Sequence, residues 1–251
     1  MILNKKVALI TGAGQGVGQG IALAMVNEGA RIAVTGRTLG KLEETCELIR
    51  ARGGEAIAVE CDVKYKPSLE ACVNAVVDEF GTIDILVNNA QQVPLGKLLD
   101  VTEEAFEAGW LSGPLATLRM MKLCYPHLKE GGGCIVNLGS SAAKRWDGVG
   151  YGPYAAVKEA IRALTRAAAC EWAMDGIRTN VILPHATSPG LKGWVKARPE
   201  EAAEFMKTIP MRRIGECEED IGQFVAVLCS DACSYINGQT IAVDGGQAYL
   251  G

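Results

Sequence analysis

A chain of 251 residues, 49 % hydrophobic and 22 % charged, has enough apolar material for one sizeable core. Its net charge of −4 and the lack of a basic block argue against a nucleic-acid partner. No apolar run approaches the roughly 18 residues of a membrane span. The first residues, Met-Ile-Leu-Asn-Lys-Lys, lead into strand-like sequence without a secretory pattern. The nine cysteines are odd in number, form no C-x-x-C pair and lie mostly in apolar segments. They read as reduced core thiols of a cytoplasmic protein. Two histidines do not supply a His-rich metal site, so no metal is expected.

In chain order, residues 7–11 predict a buried strand and 16–28 a helix. Residues 31–35 are a second strand and 39–52 a charged amphipathic helix. A third strand at 56–61 precedes a helix at 68–80, and a fourth strand lies at 83–87. A helical region at 102–128 is interrupted at Gly113-Pro114. The fifth strand is 134–138, followed by a long helix at 154–174 and a sixth strand at 178–183. Helical patterns at 199–206 and 218–230 precede a last strand at 240–243. This alternation predicts an α/β fold: a doubly wound parallel sheet in three α/β/α layers, forming one domain over 1–251. The Pro-, Gly-, Ser- and Thr-rich stretch 184–198 follows the sixth strand at its carboxyl end, where such sheets bind ligands. It reads as a mobile loop, within a substrate region at about 184–210.

The first strand runs into Thr11-Gly-Ala-Gly-Gln-Gly-Val-Gly18 and then a helix. Glycines at a strand–helix turn let backbone N–H groups approach an anion, and the helix amino end favours negative charge. The pattern is T-G-x-x-x-G-x-G, with Gly12, Gln15, Gly16, Val17 and Gly18 as candidate cofactor contacts. An acid at the end of strand two would bind a ribose 2′-hydroxyl, but Thr35-Gly36-Arg37 stands there instead. Arg37 can pair with a 2′-phosphate, which favours NADP(H) over NAD(H), the latter remaining possible. Asp62 and Val63 end strand three. Asp62 either accepts from an adenine amino group or caps the next turn.

Tyr154 and Lys158 are one helical turn apart, and Ser140-Ser141 lie upstream. A phenol near an ammonium becomes a stronger acid, and a serine hydroxyl can share the same substrate oxygen. Together with the glycine turn, Asn88-Asn89-Ala90 and the closing Val243-Asp-Gly-Gly246, these motifs make the chain resemble the short-chain dehydrogenase/reductase family over essentially its whole length. The resemblance implies a Rossmann fold, a nicotinamide cofactor, alcohol–carbonyl interconversion of a small molecule, and a homotetramer or homodimer. It also implies that Tyr154 is the acid/base and that Lys158 holds the nicotinamide ribose and lowers the tyrosine pKa. A serine would bind the substrate oxygen, and Asn89, Ala90, Pro184, Ala186 and Ser188 would line the cofactor.

The chain departs from the family pattern in four places. Gln91 replaces the final Gly of Asn-Asn-Ala-Gly. Trp110 stands where the family often has an Asn supporting a water-mediated proton relay. His185 follows Pro184 in place of Gly. The catalytic serine is Ser140 when aligned on strand five and Ser141 when counted back from Tyr154; Ser140 is preferred, because loops absorb insertions. Gln91, Trp110, Trp146 and Tyr151 are the candidate substrate contacts, with Leu191 and Trp194 nearby. Several segments also resemble bacterial hydroxysteroid dehydrogenases acting at the steroid 12 position. A 3-oxoacyl thioester reductase and a non-catalytic nucleotide sensor are the alternatives.

Overall fold

In the computed structural model, which describes residues 1–144 and 148–248, seven strands form one sheet in the order β3-β2-β1-β4-β5-β6-β7. The strands are β1 (Val7–Thr11), β2 (Arg31–Gly36), β3 (Ala56–Glu60), β4 (Ile85–Asn88), β5 (Cys134–Leu138), β6 (Arg178–Pro184) and β7 (Thr240–Val243). Every neighbouring pair is parallel. The direction of winding reverses between β1 and β4, which opens a crevice at the carboxyl ends of the strands.

Alternate residues of each strand enter opposite cores, as the two-residue period requires. Ala8, Ile10, Ile32, Val34, Val87 and Val136 pack on one side against α1 (Gly16–Asn27), α2 (Leu39–Ala51) and α9 (Gln223–Cys229). Val7, Leu9, Ala33, Leu86 and Ile135 face the other, against α3 (Lys66–Phe80) and α5 (Ala116–Gly131). With both faces covered, the strands are mostly apolar, and every residue of β1 and β5 is buried, the polar Thr11 and Asn137 included.

Local chemistry sets several boundaries. Thr102 caps α4 (Glu103–Trp110), its hydroxyl accepting from the Ala105 N–H at 3.2 Å. The expected break at Gly113-Pro114 falls in a wide, π-type turn over Leu111–Leu115 that joins α4 to α5. A second such turn, Cys217–Gly222, precedes α9, so the helix expected at 218–230 starts irregularly. The stretch read as a mobile loop contains a helix, α7 (Pro189–Ala197): the Ser188 hydroxyl accepts from the Leu191 N–H at 3.2 Å, and Pro189 occupies the first turn. Next comes α8 (Pro199–Lys207). No residue of α7 is buried, so this part of the expected substrate region is an exposed helical flap.

A buried polar chain fixes the long helix α6 (Gly152–Glu171) to the sheet. Asn88 Nδ2 donates to Asn137 Oδ1 at 2.8 Å, and Asn137 Nδ2 donates to Thr165 Oγ1 at 2.9 Å. Asn88 therefore supports the sheet. All nine cysteines are free thiols, and six are buried.

Candidate active site

Residues at the carboxyl ends of β1 through β6 line one open cavity of about 1640 Å³, and α6, α7 and α8 close its sides. At its floor Thr11 and Asn89 lock the glycine turn to β4. The backbone N–H groups of Asn89 and Ala90 donate to Thr11 Oγ1 at 2.9 and 3.0 Å. Asn89 Nδ2 donates to the carbonyls of Thr11 and Gly12 at 2.8 and 3.0 Å. Gly12 has φ +66°, and a Cβ there would lie 2.9 Å from the Ala90 backbone. That bare cradle at the start of α1 fits a dinucleotide pyrophosphate, as the N–H donors and the helix dipole require. Gly12, Gln15, Gly16 and Val17 all line the cavity. Gly18 does not. A Cβ on it would sit 2.5 Å from Asn89 Nδ2 and 2.6 Å from the Gly12 carbonyl, so it permits the turn and helix to pack instead of touching a ligand.

Arg37, exposed after β2, borders one end of the cavity. Beside it is a cation that the motif reading missed: Lys41 Nζ donates to Gln15 Oε1 at 2.8 Å and lines the same end. The glycine turn carries no positive charge, but Gln15 tethers one from α2. The available signal was a lysine in the first turn of the helix that follows Arg37. Asp62 and Val63 also line this end. The Asp62 carboxylate accepts from the Lys64 N–H at 3.1 Å, so it caps its own turn.

At the opposite end, Ser140, Ser141, Tyr154, Lys158, Pro184, Ala186 and Ser188 converge on the cavity. Burial pushes the Tyr154 phenol up to about 12, while a hydrogen bond with Ser140 pulls it down. Ser140 Oγ also accepts from the Ala142 N–H at 3.1 Å, which orients it. Ser141 is buried in the following turn. Lys158 is 3 % exposed, and burial pulls its ammonium down to about 7. Its Nζ donates to the Leu138 carbonyl at 2.7 Å and lies 5.5 Å from the centroid of the Tyr154 ring. The expected lowering of the phenol by Lys158 is therefore not set up by the fold alone. The ammonium lies over the ring face, engages a carbonyl, and is partly discharged near neutral pH.

The upper wall is aromatic and aliphatic. The Tyr151 and Tyr154 rings are 6.3 Å apart. Phe205 takes edge contacts from His185 at 5.4 Å and Trp194 at 5.7 Å. Leu191, Val93, Leu95 and Val149 also line the cavity. Gln91 lines it too. Trp110 does not: it is 42 % exposed and packs on Phe106 with ring centroids 6.4 Å apart, on the outside of α4. The helical period turns residue 110 away, so it is neither a substrate wall nor core. Trp146 lies outside the described residues. Gln247, which the motif reading did not single out, reaches the cavity from the turn after β7. That turn is held by Asp244, whose carboxylate accepts from the N–H groups of Gly246 and Ala248 at 3.0 and 2.7 Å. Among the described residues no cluster of acidic, His or Cys side chains could hold a metal ion, and no helix is long and apolar enough to cross a membrane.

A family model described as enoyl-(acyl carrier protein) reductase matches residues 12–248. The chain is 39 % identical to a 12alpha-hydroxysteroid dehydrogenase of Clostridium sp. over 98 % of its own length and 97 % of that relative. It is 34 % identical to human dehydrogenase/reductase SDR family member 4 over 97 % and 88 %. A variant of the actinorhodin polyketide ketoreductase solved with NADPH superposes with a TM-score of 0.92 at 29 % identity, covering 98 % of both chains. A short-chain dehydrogenase/reductase from Serratia marcescens also gives 0.92, at 27 % identity over 99 % and 100 %. With this match along the whole chain and a cavity at the carboxyl ends of its strands, the protein belongs to the short-chain dehydrogenase/reductase family and is an NAD(P)-dependent alcohol dehydrogenase/ketone reductase.

Proposed function

We propose that this protein interconverts a hydrophobic secondary alcohol and its ketone, with Tyr154 as acid/base and NADP(H) as the preferred cofactor. The observation that carries the reading is the meeting of Ser140, Tyr154 and Lys158 at one end of a cavity whose other end bears a glycine cradle. When bound, the nicotinamide supplies or accepts the hydride. The chain's own residues handle the oxygen. In the reducing direction Tyr154 Oη gives its proton to the carbonyl oxygen as negative charge develops there, and the Ser140 hydroxyl donates to the same atom. In the oxidising direction the phenolate takes the alcohol proton. Lys158, held by the Leu138 carbonyl, supports the phenolate by its charge.

Arg37 and the Gln15-tethered Lys41 support the NADP(H) preference, because two cations at the ribose end suit a 2′-phosphate. The apolar upper wall and the 12alpha-hydroxysteroid dehydrogenase relative support a steroid oxidised or reduced at position 12 as the substrate class. Assembly as a homotetramer or homodimer belongs to the same reading. It is in keeping with the solvent-facing Phe106 and Trp110, and sedimentation would test it.

The deciding experiment follows cofactor oxidation with NADPH and NADH across 12-oxosteroids, simpler ketones and 3-oxoacyl thioesters. Turnover of the steroids, faster with NADPH, is expected. Cofactor binding without turnover anywhere in the panel would leave a nucleotide sensor, and preference for thioesters would move the substrate class. Tyr154→Phe should lose at least roughly 100-fold in kcat. Unchanged turnover would remove Tyr154 from its role.

A further inference from the structure

We infer that Gln15 is a positioning residue for cofactor choice: its side-chain oxygen holds the Lys41 ammonium ready for a ribose 2′-phosphate. The inference rests on the NADP(H) reading given above and adds the residue that makes Lys41 effective in it.

The start of α2 is an unfavourable place for a lysine. The amino end of a helix carries partial positive charge, which disfavours a cation and favours an anion. Yet Lys41 lies in the first turn of α2, that turn holds no acid, and the Thr38 side chain does not cap it. Arg37 stands just before the helix. Two cations and an uncapped helix start thus border one end of the cavity. The acid that lines this end, Asp62, lies 3.8 Å from Lys64 Nζ, so its charge is answered there.

The packing of α2 on the glycine turn decides where Lys41 can reach. Gly14 has no side chain to hold the helix away: a Cβ on it would be 3.0 Å from Lys41 Cβ. One turn further along α2, the buried Thr45 stitches the helix to the glycine turn. Its Oγ1 lies 3.1 Å from the Ala13 carbonyl and accepts from Gln19 Nε2 at 3.0 Å. With the two backbones fixed in this way, Lys41 Nζ donates to Gln15 Oε1 at 2.8 Å. An ammonium only donates, so the amide oxygen is the end that faces it.

The neutrality of the acceptor gives the arrangement its use. A carboxylate at position 15 would hold Lys41 equally well and cancel its charge. An amide holds it and leaves the charge for the phosphate. A lysine side chain has much rotamer freedom to lose when it binds an anion, and a tether made beforehand removes part of that loss. Gln15 therefore acts through Lys41, and its effect is confined to ligands that carry a 2′-phosphate.

The test titrates the cofactor-free protein calorimetrically with adenosine 2′,5′-bisphosphate and with 5′-AMP, which differ only in the 2′-phosphate. Wild type should bind the bisphosphate at least roughly tenfold more tightly, as charge-assisted contacts imply. Gln15→Met should shrink that ratio roughly three- to tenfold, the effect of one side chain left to be ordered, with 5′-AMP affinity unchanged. Gln15→Glu should shrink it further. In a Lys41→Ala background Gln15→Met should have no added effect, because the residue it positions is gone. A loss shared equally by both nucleotides would mark a structural role and overturn the inference. So would losses that multiply in the double variant, or a Gln15→Glu protein that binds the bisphosphate as well as wild type. Equal affinity of wild type for the two nucleotides would instead bring down the NADP(H) reading beneath it.

Discussion

Lys158 is placed for chemistry at the expense of stability, and Lys158→Met should reveal this directly. The side chain is 3 % exposed, and burial draws its ammonium from the ordinary 10.5 down to about 7. Between those values the unfolded chain holds a proton that the folded chain does not. Folding stability therefore rises with pH across this window, and the penalty is complete below it. Linkage puts the cost to the folded state at roughly 5 kcal/mol at pH 6 and roughly 1 kcal/mol at pH 9.5. Met has similar length, no charge and no such dependence, although it forgoes the bond to the Leu138 carbonyl, worth about 1 kcal/mol. Urea unfolding at fixed protein concentration should find Lys158→Met the more stable protein at pH 6. Its advantage should shrink by about 3 kcal/mol by pH 9.5, while its turnover is lost. Parallel stability curves for the two proteins, or a wild type more stable at pH 6, would refute the reasoning.

Arg37→Ala and Lys41→Ala should each raise KM for NADPH by roughly 10-fold or more, as loss of a charge-assisted contact implies, with little change for NADH; paired steady-state assays read this out. Gly18→Ala should cost about 1–3 kcal/mol by overpacking Asn89 against the glycine turn, seen as a lower melting temperature with a weaker cofactor affinity. Asn137→Leu should cost about 2–4 kcal/mol, because it leaves buried Asn88 and Thr165 without their shared partner. Thermal unfolding would show the loss, and a neutral substitution would remove the polar chain from the account of how α6 is held. Trp194→Ala should raise KM for a hydrophobic ketone more than it changes KM for NADPH, since its ring sits on Phe205 in the upper wall.

The sheet was legible in the sequence because each strand is short, apolar and bounded by turn residues, and the helices between strands are amphipathic. The bounds of β1, β5 and β7 follow from those runs alone. Most of the cavity floor was legible for a related reason: a glycine turn and a Tyr/Lys pair each act through backbone or one-turn spacing, which sequence displays. What it concealed depends on direction and on contacts far apart in the chain. Trp110 was placed near the substrate by its position in a motif, yet the turn of α4 points it at solvent. Gly18 looked like its neighbours, but its hydrogen atom faces Asn89, which is distant in sequence. Lys41 enters from α2 and meets Gln15, 26 positions away in sequence, through a hydrogen bond that its own position does not announce. The 184–198 stretch looked like a loop by composition, whereas one serine cap and one proline suffice to start a helix there.

The electrostatics of the pair were the least legible part, because spacing shows only that two side chains can meet. Whether a lysine lowers a neighbouring phenol depends on whether that lysine keeps its charge. Here desolvation acts on both groups at once, holding the phenol protonated up to about 12 and releasing the lysine proton near 7. Around neutral pH the resting pair is thus a neutral phenol above a partly neutral amine, a poor base beside a poor cation. Productive pairing requires something that stabilises the ammonium, and the Leu138 carbonyl satisfies one of its three donors. A second acceptor at Lys158 would therefore raise its charged fraction and, through it, the acidity of Tyr154.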